Sequence, residues 1–240
     1  MSDLLDHLAR FDTPTICNAL DALAPETRLS GYTRRSPVVA PAAWHAPEGR
    51  RAICARARTV RIRAAERHLR GEAETRALKA DYYDWIAAGG PCLMAVEDLD
   101  TEPMGAFWGE VHSALHRGLG AAGCVTNGVV RDLDDLDPDF LILAGAVGPS
   151  HAHVHWVDYG QGARVMGMDV PEGAAIHADR HGAVCIPEAA LDGLPGAIAE
   201  VQARERPLIE AARAGMAPAD LARRMRAILG AGTTGTEGHA

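Results

Sequence analysis

The sequence predicts a layered α/β domain built on a mixed sheet. Three observations carry that expectation. Residues 53–144 interleave short apolar strands with helices, residues 147–186 break into short strands divided by Gly, Pro and Asp turns, and residues 197–229 show helical periodicity. A purely alternating dinucleotide-binding topology does not fit, because the hairpin runs have no place in it.

Taken in order, Asp3 to Phe11 reads as a short amphipathic helix. Thr13-Pro14 looks like an N-cap followed by proline at the first helical position, opening a helix through Leu23. Residues 24–50 are rich in Pro, Gly and Arg and should be loop with one short strand at most. Ile53 to Ile62 alternates small or apolar residues with arginine, as a strand with one solvated face would. Glu72 to Ala88 reads as a helix stopped by Gly89-Gly90-Pro91. Cys92 to Glu97 is a buried strand, Trp108 to Leu119 a helix, Gly123 to Asn127 a short apolar strand, and Phe140 to Ala144 another. From Val147 to Ile186 the turns suggest an antiparallel meander. Ala197 to Arg213 and Pro218 to Leu229 are long helices. This gives one domain over 1–229 and a disordered Gly- and Thr-rich tail over 230–240.

Composition limits the function classes. The 240 residues are 48% hydrophobic and 23% charged, which suits a globular chain with a real core. A formal net charge of −8 argues against a nucleic-acid or anionic-membrane partner, both of which need a basic face. The acidic start and the lack of a long apolar stretch predict a cytoplasmic protein without leader or anchor. Its five scattered cysteines, with no CxxC, fit reduced thiols.

Two GxGxxG strings mislead. Gly118, Gly120 and Gly123 follow a helix and precede a strand, the reverse of a nucleotide site, and Gly230, Gly232 and Gly235 lie in the tail.

Chemistry concentrates in GAFWGEVHSALHRGLGAAGCVTNGVVRDLDDL, residues 105–136. Gly109-Glu110 opens a helix whose first amides, near Val111 and His112, form an anion site suited to a carboxylate. An apolar strand ends in Asn127-Gly128, and loops at strand ends are where open α/β sheets place ligands. That loop delivers Arg131 and Asp132 side by side. Alone, such a pair is more simply a surface salt bridge.

The stretch GEVHSALHRGLGAAGCVTNGVVRD resembles the RraA-like family, which includes 4-hydroxy-4-methyl-2-oxoglutarate aldolases and oxaloacetate decarboxylases. TPTICNALDAL and HADRHGAVCIP extend the resemblance over most of residues 10–215, with Asn18 where the family usually has Asp. The resemblance implies a three-layer β/β/α swivelling-type fold with mixed sheets and C-terminal helices. It also implies a homotrimer, or a hexamer of two trimers, with sites between subunits. It implies a divalent-metal lyase cleaving a C–C bond of small 2-oxo acids through a pyruvate enolate. Arg131 would meet the keto oxygen, and Mg²⁺ or Mn²⁺ would sit at Asp132 with Glu110 reached through water. A glutamate of a neighbouring subunit would approach that metal, and Glu205 is the best candidate. Gly109, Val111, His112 and Asn127 complete the expected substrate contacts.

Two other readings stand beside this. Some RraA-like proteins are non-catalytic binders that regulate an RNA-processing nuclease, but a pure binder has no need of Glu110, Arg131 and Asp132 together. His151, His153 and His155 alternate, so on a strand they would share a face and could hold a transition metal for different chemistry. A polar strand face is the simpler reading of those histidines. Lys79, the single lysine, falls mid-helix, which makes a Schiff-base enzyme improbable.

Overall fold

In this computed structural model the described residues are 2–35, 37–45 and 52–231. They divide into two compact units, with the boundary between Pro195 and Gly196.

The first unit opens with α1 (Ser2–Leu8) and α2 (Thr13–Leu23). The N-cap of α2 is Asp12, one residue before the expected Thr13. The Asp12 carboxylate accepts from the Thr15 amide at 3.0 Å. Thr13 is engaged elsewhere: its amide donates to Asp179 Oδ2 at 3.0 Å, and its hydroxyl pairs with His177 Nδ1 at 2.9 Å.

The main sheet uses β1 (Val38–Ala40), β2 (Ala52–Arg63), β3 (Cys92–Asp98), β5 (Ala121–Thr126), β7 (Leu141–Ala144), β9 (His155–Tyr159), β12 (Ala175–Asp179) and β13 (Gly182–Ile186). Its order is β1-β7-β5-β3-β2-β12-β13, and β9 also pairs with β2. Strands β2, β3, β5 and β7 run parallel, with antiparallel strands on either side. β2 is central and largely buried on both faces, not half-solvated as its arginines suggested. Those arginines are partnered: Arg58 pairs with Glu172 at 3.2 Å and stacks 4.4 Å from the Trp85 ring, and Arg61 binds Asp158.

Two cores lie on opposite faces of this sheet. On one, Val60, Ile62, Met94 and Ile142 pack against Tyr82 and Ile86 of α3 (Glu72–Ala88) and against Trp108 and Phe140. On the other, Ala55, Leu93, Val125 and Leu143 pack against the hairpin of β10 (Ala163–Val165) and β11 (Met168–Val170). The unit is thus layered as helices, sheet and ribbon. Each large apolar side chain buried here contributes about 1.5–3 kcal/mol.

The segment expected to form one meander is split. β9 pairs with β2, β10 pairs with β11, and β12 with β13. The β10–β11 turn has Met166 and Gly167 at φ 49° and 86°, the left-handed pair of a tight hairpin turn. β12 and β13 close at Asp179 and Gly182, and Asp179 accepts the His181 amide at 2.8 Å, which holds the turn.

A second, three-stranded parallel ribbon joins β4 (Ala106–Trp108), β6 (Val129–Val130) and β8 (Ala146–Val147). β6 follows β5 and β8 follows β7, so the ribbon continues past the carboxyl ends of the main strands. Gly145 lets the two chains cross, because a Cβ there would lie 2.1 Å from the Asn127 carbonyl oxygen. The expected helix from Trp108 therefore begins later, as α4 (Glu110–Gly118), with β4 before it.

The second unit contains α5 (Leu194–Arg213), apart from its first residues, and α6 (Pro218–Ala231). Pro207 lies inside α5 without ending it. Of the tail predicted over 230–240, α6 extends to Ala231, and 232–240 lie outside the described residues. No helix among the described residues is long and apolar enough to cross a membrane.

Candidate active site

The ribbon explains why Arg131 and Asp132 meet Gly109. β4 and β6 are parallel neighbours with Trp108 opposite Val130, and the Arg131 amide donates to the Trp108 carbonyl at 3.0 Å. The residues that follow each strand must therefore emerge together. After β4 comes Gly109 and the start of α4, and after β6 come Arg131 and Asp132.

Asp132 adopts φ 54°, the left-handed region that Asp tolerates better than most residues. This bend turns its carboxylate back onto α4, where Oδ2 accepts from the Glu110 amide at 3.2 Å. Asp132 thus takes the anion position at the helix start, where the sequence had suggested a ligand carboxylate. The Arg131 guanidinium lies beside it, Nε to Asp132 Oδ2 at 3.4 Å, and both side chains are about a third exposed at 36% and 35%. Gly109 is extended, so any residue could adopt its backbone. What it supplies is room, since a Cβ would stand 2.5 Å from Asp132 Oδ2 and 3.2 Å from Arg131 Nε.

These groups open into a cleft of roughly 300 Å³ lined by Ala106, Phe107, Gly109, Val111, His112, Arg131, Asp132, His151 and Val154. Five residues expected from sequence meet there: Gly109, Val111, His112, Arg131 and Asp132. Glu110 lies beside it, exposed, in the first turn of α4. Asn127 belongs elsewhere: its Oδ1 accepts from the Asp98 amide and its Nδ2 donates to the Asp98 carbonyl, tying the end of β5 to the end of β3. The expected substrate contact is in fact a structural clamp. Phe107 and Val154 were missed. An Ala-Phe-Trp triplet ahead of a helix-opening Gly-Glu was the available sign of a strand at Phe107.

Beneath the cleft lies an aromatic and histidine cluster. The His112 ring meets Phe107 edge-on at 4.5 Å, and burial pushes its pKa down to about 4, helped by the positive charges of Lys79 and Arg131. His116 is deeper. Its Nδ1 pairs with the His112 carbonyl at 2.7 Å and its Nε2 with the Tyr82 hydroxyl at 2.8 Å. Burial takes its pKa down to about 3. With Nδ1–H donating to the carbonyl, Nε2 accepts from Tyr82. Asp98, near the clamp, is pushed up to about 6 by burial.

The alternating histidines do not form the expected strand face. His151 and His153 lie in a turn where Ala152 has φ 45°, and β9 begins only at His155. Among the described residues no three His, Cys, Asp or Glu side chains converge as metal ligands within one chain. Glu205 lies on α5, in the second unit.

The donor set beside the cleft suits a hard divalent cation that keeps several waters. Asp132 presents one carboxylate, whose Oδ2 is engaged by the Glu110 amide, and Glu110 presents a second from the adjacent turn.

Comparisons with known proteins bear on the fold and family. A protein from Pseudomonas syringae pv. tomato, described as uncharacterized, is 18% identical with TM-score 0.69, covering 93% of this chain and 94% of that one. RraAS2 of Streptomyces coelicolor, described as an unusual member of the RNase ES inhibitor RraA protein family, is 17% identical with TM-score 0.62, covering 86% and 93%. At these identities the likeness shows the fold alone. No curated protein sequence matches the chain. The RraA-like profile, described as Aldolase/RraA, matches residues 13–185. That family includes both aldolase or decarboxylase enzymes and non-catalytic RNase inhibitors. The chain belongs to the RraA-like family.

Proposed function

We propose that this protein is a divalent-metal-dependent lyase that releases pyruvate from small 2-oxo acids, by retro-aldol cleavage of 4-hydroxy-2-oxo acids, β-decarboxylation of oxaloacetate, or both. One observation carries the reading. Arg131 and Asp132 stand side by side at a cleft of small-molecule size, held there by a left-handed Asp and a glycine that alone leaves them room. A local surface salt bridge would need neither device.

In either reaction the bond beyond C3 breaks with its electron pair passing to C3, and negative charge grows on the C2 oxygen. Arg131 is a permanent cation whose terminal N–H groups point donors at such an oxygen. Removing one such donor from an enzyme typically costs about 10²–10³ in rate. In retro-aldol cleavage the 4-hydroxyl gives up its proton and an aldehyde or ketone departs. In decarboxylation the C4 carboxylate leaves as CO₂. C3 then takes a proton from water, giving pyruvate. Asp132 would hold Mg²⁺ or Mn²⁺, with Glu110 reached through water, and the cation would supply Lewis-acid polarisation of the keto group. Asp132 is oriented for this by the Glu110 amide.

The exposed Leu115 and Leu133 near this region, at 43% and 40% exposure, support a homotrimer or hexamer that covers them. In such an assembly Glu205 of a neighbouring copy would complete the metal site.

Pyruvate release from oxaloacetate and a panel of 4-hydroxy-2-oxo acids, coupled to lactate dehydrogenase, tests the proposal. Turnover should require Mg²⁺ or Mn²⁺ and fall at least about 100-fold in Arg131→Ala and in Asp132→Asn. Turnover that survives chelation, or survives in both variants, defeats the mechanism. No pyruvate from any substrate would favour a binding protein.

A further inference from the structure

The lining of the cleft is uneven in charge. Arg131 is the single arginine or lysine among its described lining residues, and its Nε already faces Asp132. Away from that pair, the surface includes carbon from Ala106, Phe107, Val111 and Val154. Val111 projects from the first turn of α4 with 64% of its surface exposed, an apolar group offered to whatever enters. A 2-oxo acid held by its head at Arg131 would lay the substituent beyond C3 along this carbon surface. A second carboxylate placed there would lose water and gain no fixed cation in exchange. An alkyl or aryl group would lose only unfavourable contact with water.

We infer that the cleft selects 2-oxo acids whose distal substituent is uncharged and carbon-rich, in preference to dicarboxylic 2-oxo acids. The inference rests on the reading of the Arg131 cleft as a 2-oxo acid site, and it concerns the far end of that cleft.

Binding separates this from the lyase reading. Calorimetric titration of the full-length protein with Mg²⁺ would use 2-oxo-4-methylpentanoate, 2-oxo-4-phenylbutanoate and 2-oxoglutarate. None carries a 4-hydroxyl to cleave. The two uncharged-tail acids should bind at least about tenfold more tightly than 2-oxoglutarate. Val111→Arg, a change at an exposed position, should narrow or reverse that ratio by about tenfold by supplying a second guanidinium. Equal or tighter binding of 2-oxoglutarate to the parent overturns the inference, as does failure of all three acids to bind. An unchanged ratio in Val111→Arg overturns the placement of the tail against α4. Preferential binding of the uncharged tails with no pyruvate release from any substrate would sink the lyase reading while leaving the selectivity standing.

Discussion

Gly109→Ala should separate catalysis from folding. The backbone there is extended at φ −167° and ψ −168°, so alanine meets no conformational penalty. The added methyl would stand 2.5 Å from Asp132 Oδ2, roughly 1 Å inside ordinary contact. Arg131 Cγ and Nε, at 3.1 and 3.2 Å, must also give slightly. The obstructing oxygen ends a short, partly exposed side chain, so Asp132 can swing away. The fold loses its hydrogen bond to the Glu110 amide, at a cost of about 1 kcal/mol. For a chain of this size that lowers Tm by about 2–4 °C. The reaction loses more, because a displacement of about 1 Å in a catalytic constellation costs about 100-fold in kcat/KM. Thermal unfolding by circular dichroism and the coupled pyruvate assay read the two effects separately. Parent-like kcat/KM would refute the claim that Asp132 acts from its seat on α4. A fall in Tm beyond about 10 °C would show that Gly109 serves the fold instead.

Other outcomes follow from the surroundings of the cleft. Tyr82→Phe removes the donor to His116 Nε2 and should cost about 1–3 kcal/mol in urea unfolding by orphaning a buried acceptor; an unchanged midpoint would contradict the assigned bond. Asp98 is pushed up from 3.8 to about 6, so the fold favours its neutral form. Its contribution to stability is complete below about pH 4 and is lost as pH rises through about 6. Asp98→Asn, which does not titrate, should gain on the parent across that window by on the order of 1–3 kcal/mol; a gain that shrinks with rising pH would be the wrong sign. Lys79→Ala should leave pyruvate release intact, and borohydride should not inactivate the parent; loss of activity in either experiment would point to an imine mechanism.

Much of the fold was legible because its helices and inner strands carry their own periodicity. α3 is bounded as its glycine stop implied, and β3 and β7 read as apolar runs. The ribbon was not legible. β6 and β8 are two residues each, too short for any period, and β4 merged with the helix after it. The arginines of β2 suggested a solvated face because ion pairs to distant Glu172 and Asp158 leave no mark in local sequence. Thr13 lost its expected cap for a similar reason, being drawn to Asp179 and His177 across the fold. At the site, Arg131, Asp132 and Gly109 were readable from motif and chain order. Asn127 misled because a side-chain amide at a strand end serves equally well as ligand or clamp. Phe107 enters the cleft from β4 of the ribbon and Val154 from the loop before β9, placements that sequence spacing does not express.

The account depends on one place in the molecule, the seat of Asp132 beside Arg131. Diffraction from crystals soaked with Mn²⁺ and oxalate, a planar mimic of the pyruvate enolate, tests it directly. An anomalous manganese peak beside the Asp132 carboxylate, with oxalate against the Arg131 guanidinium, is the predicted result. Manganese held elsewhere on the chain, or oxalate bound away from Arg131, would contradict it.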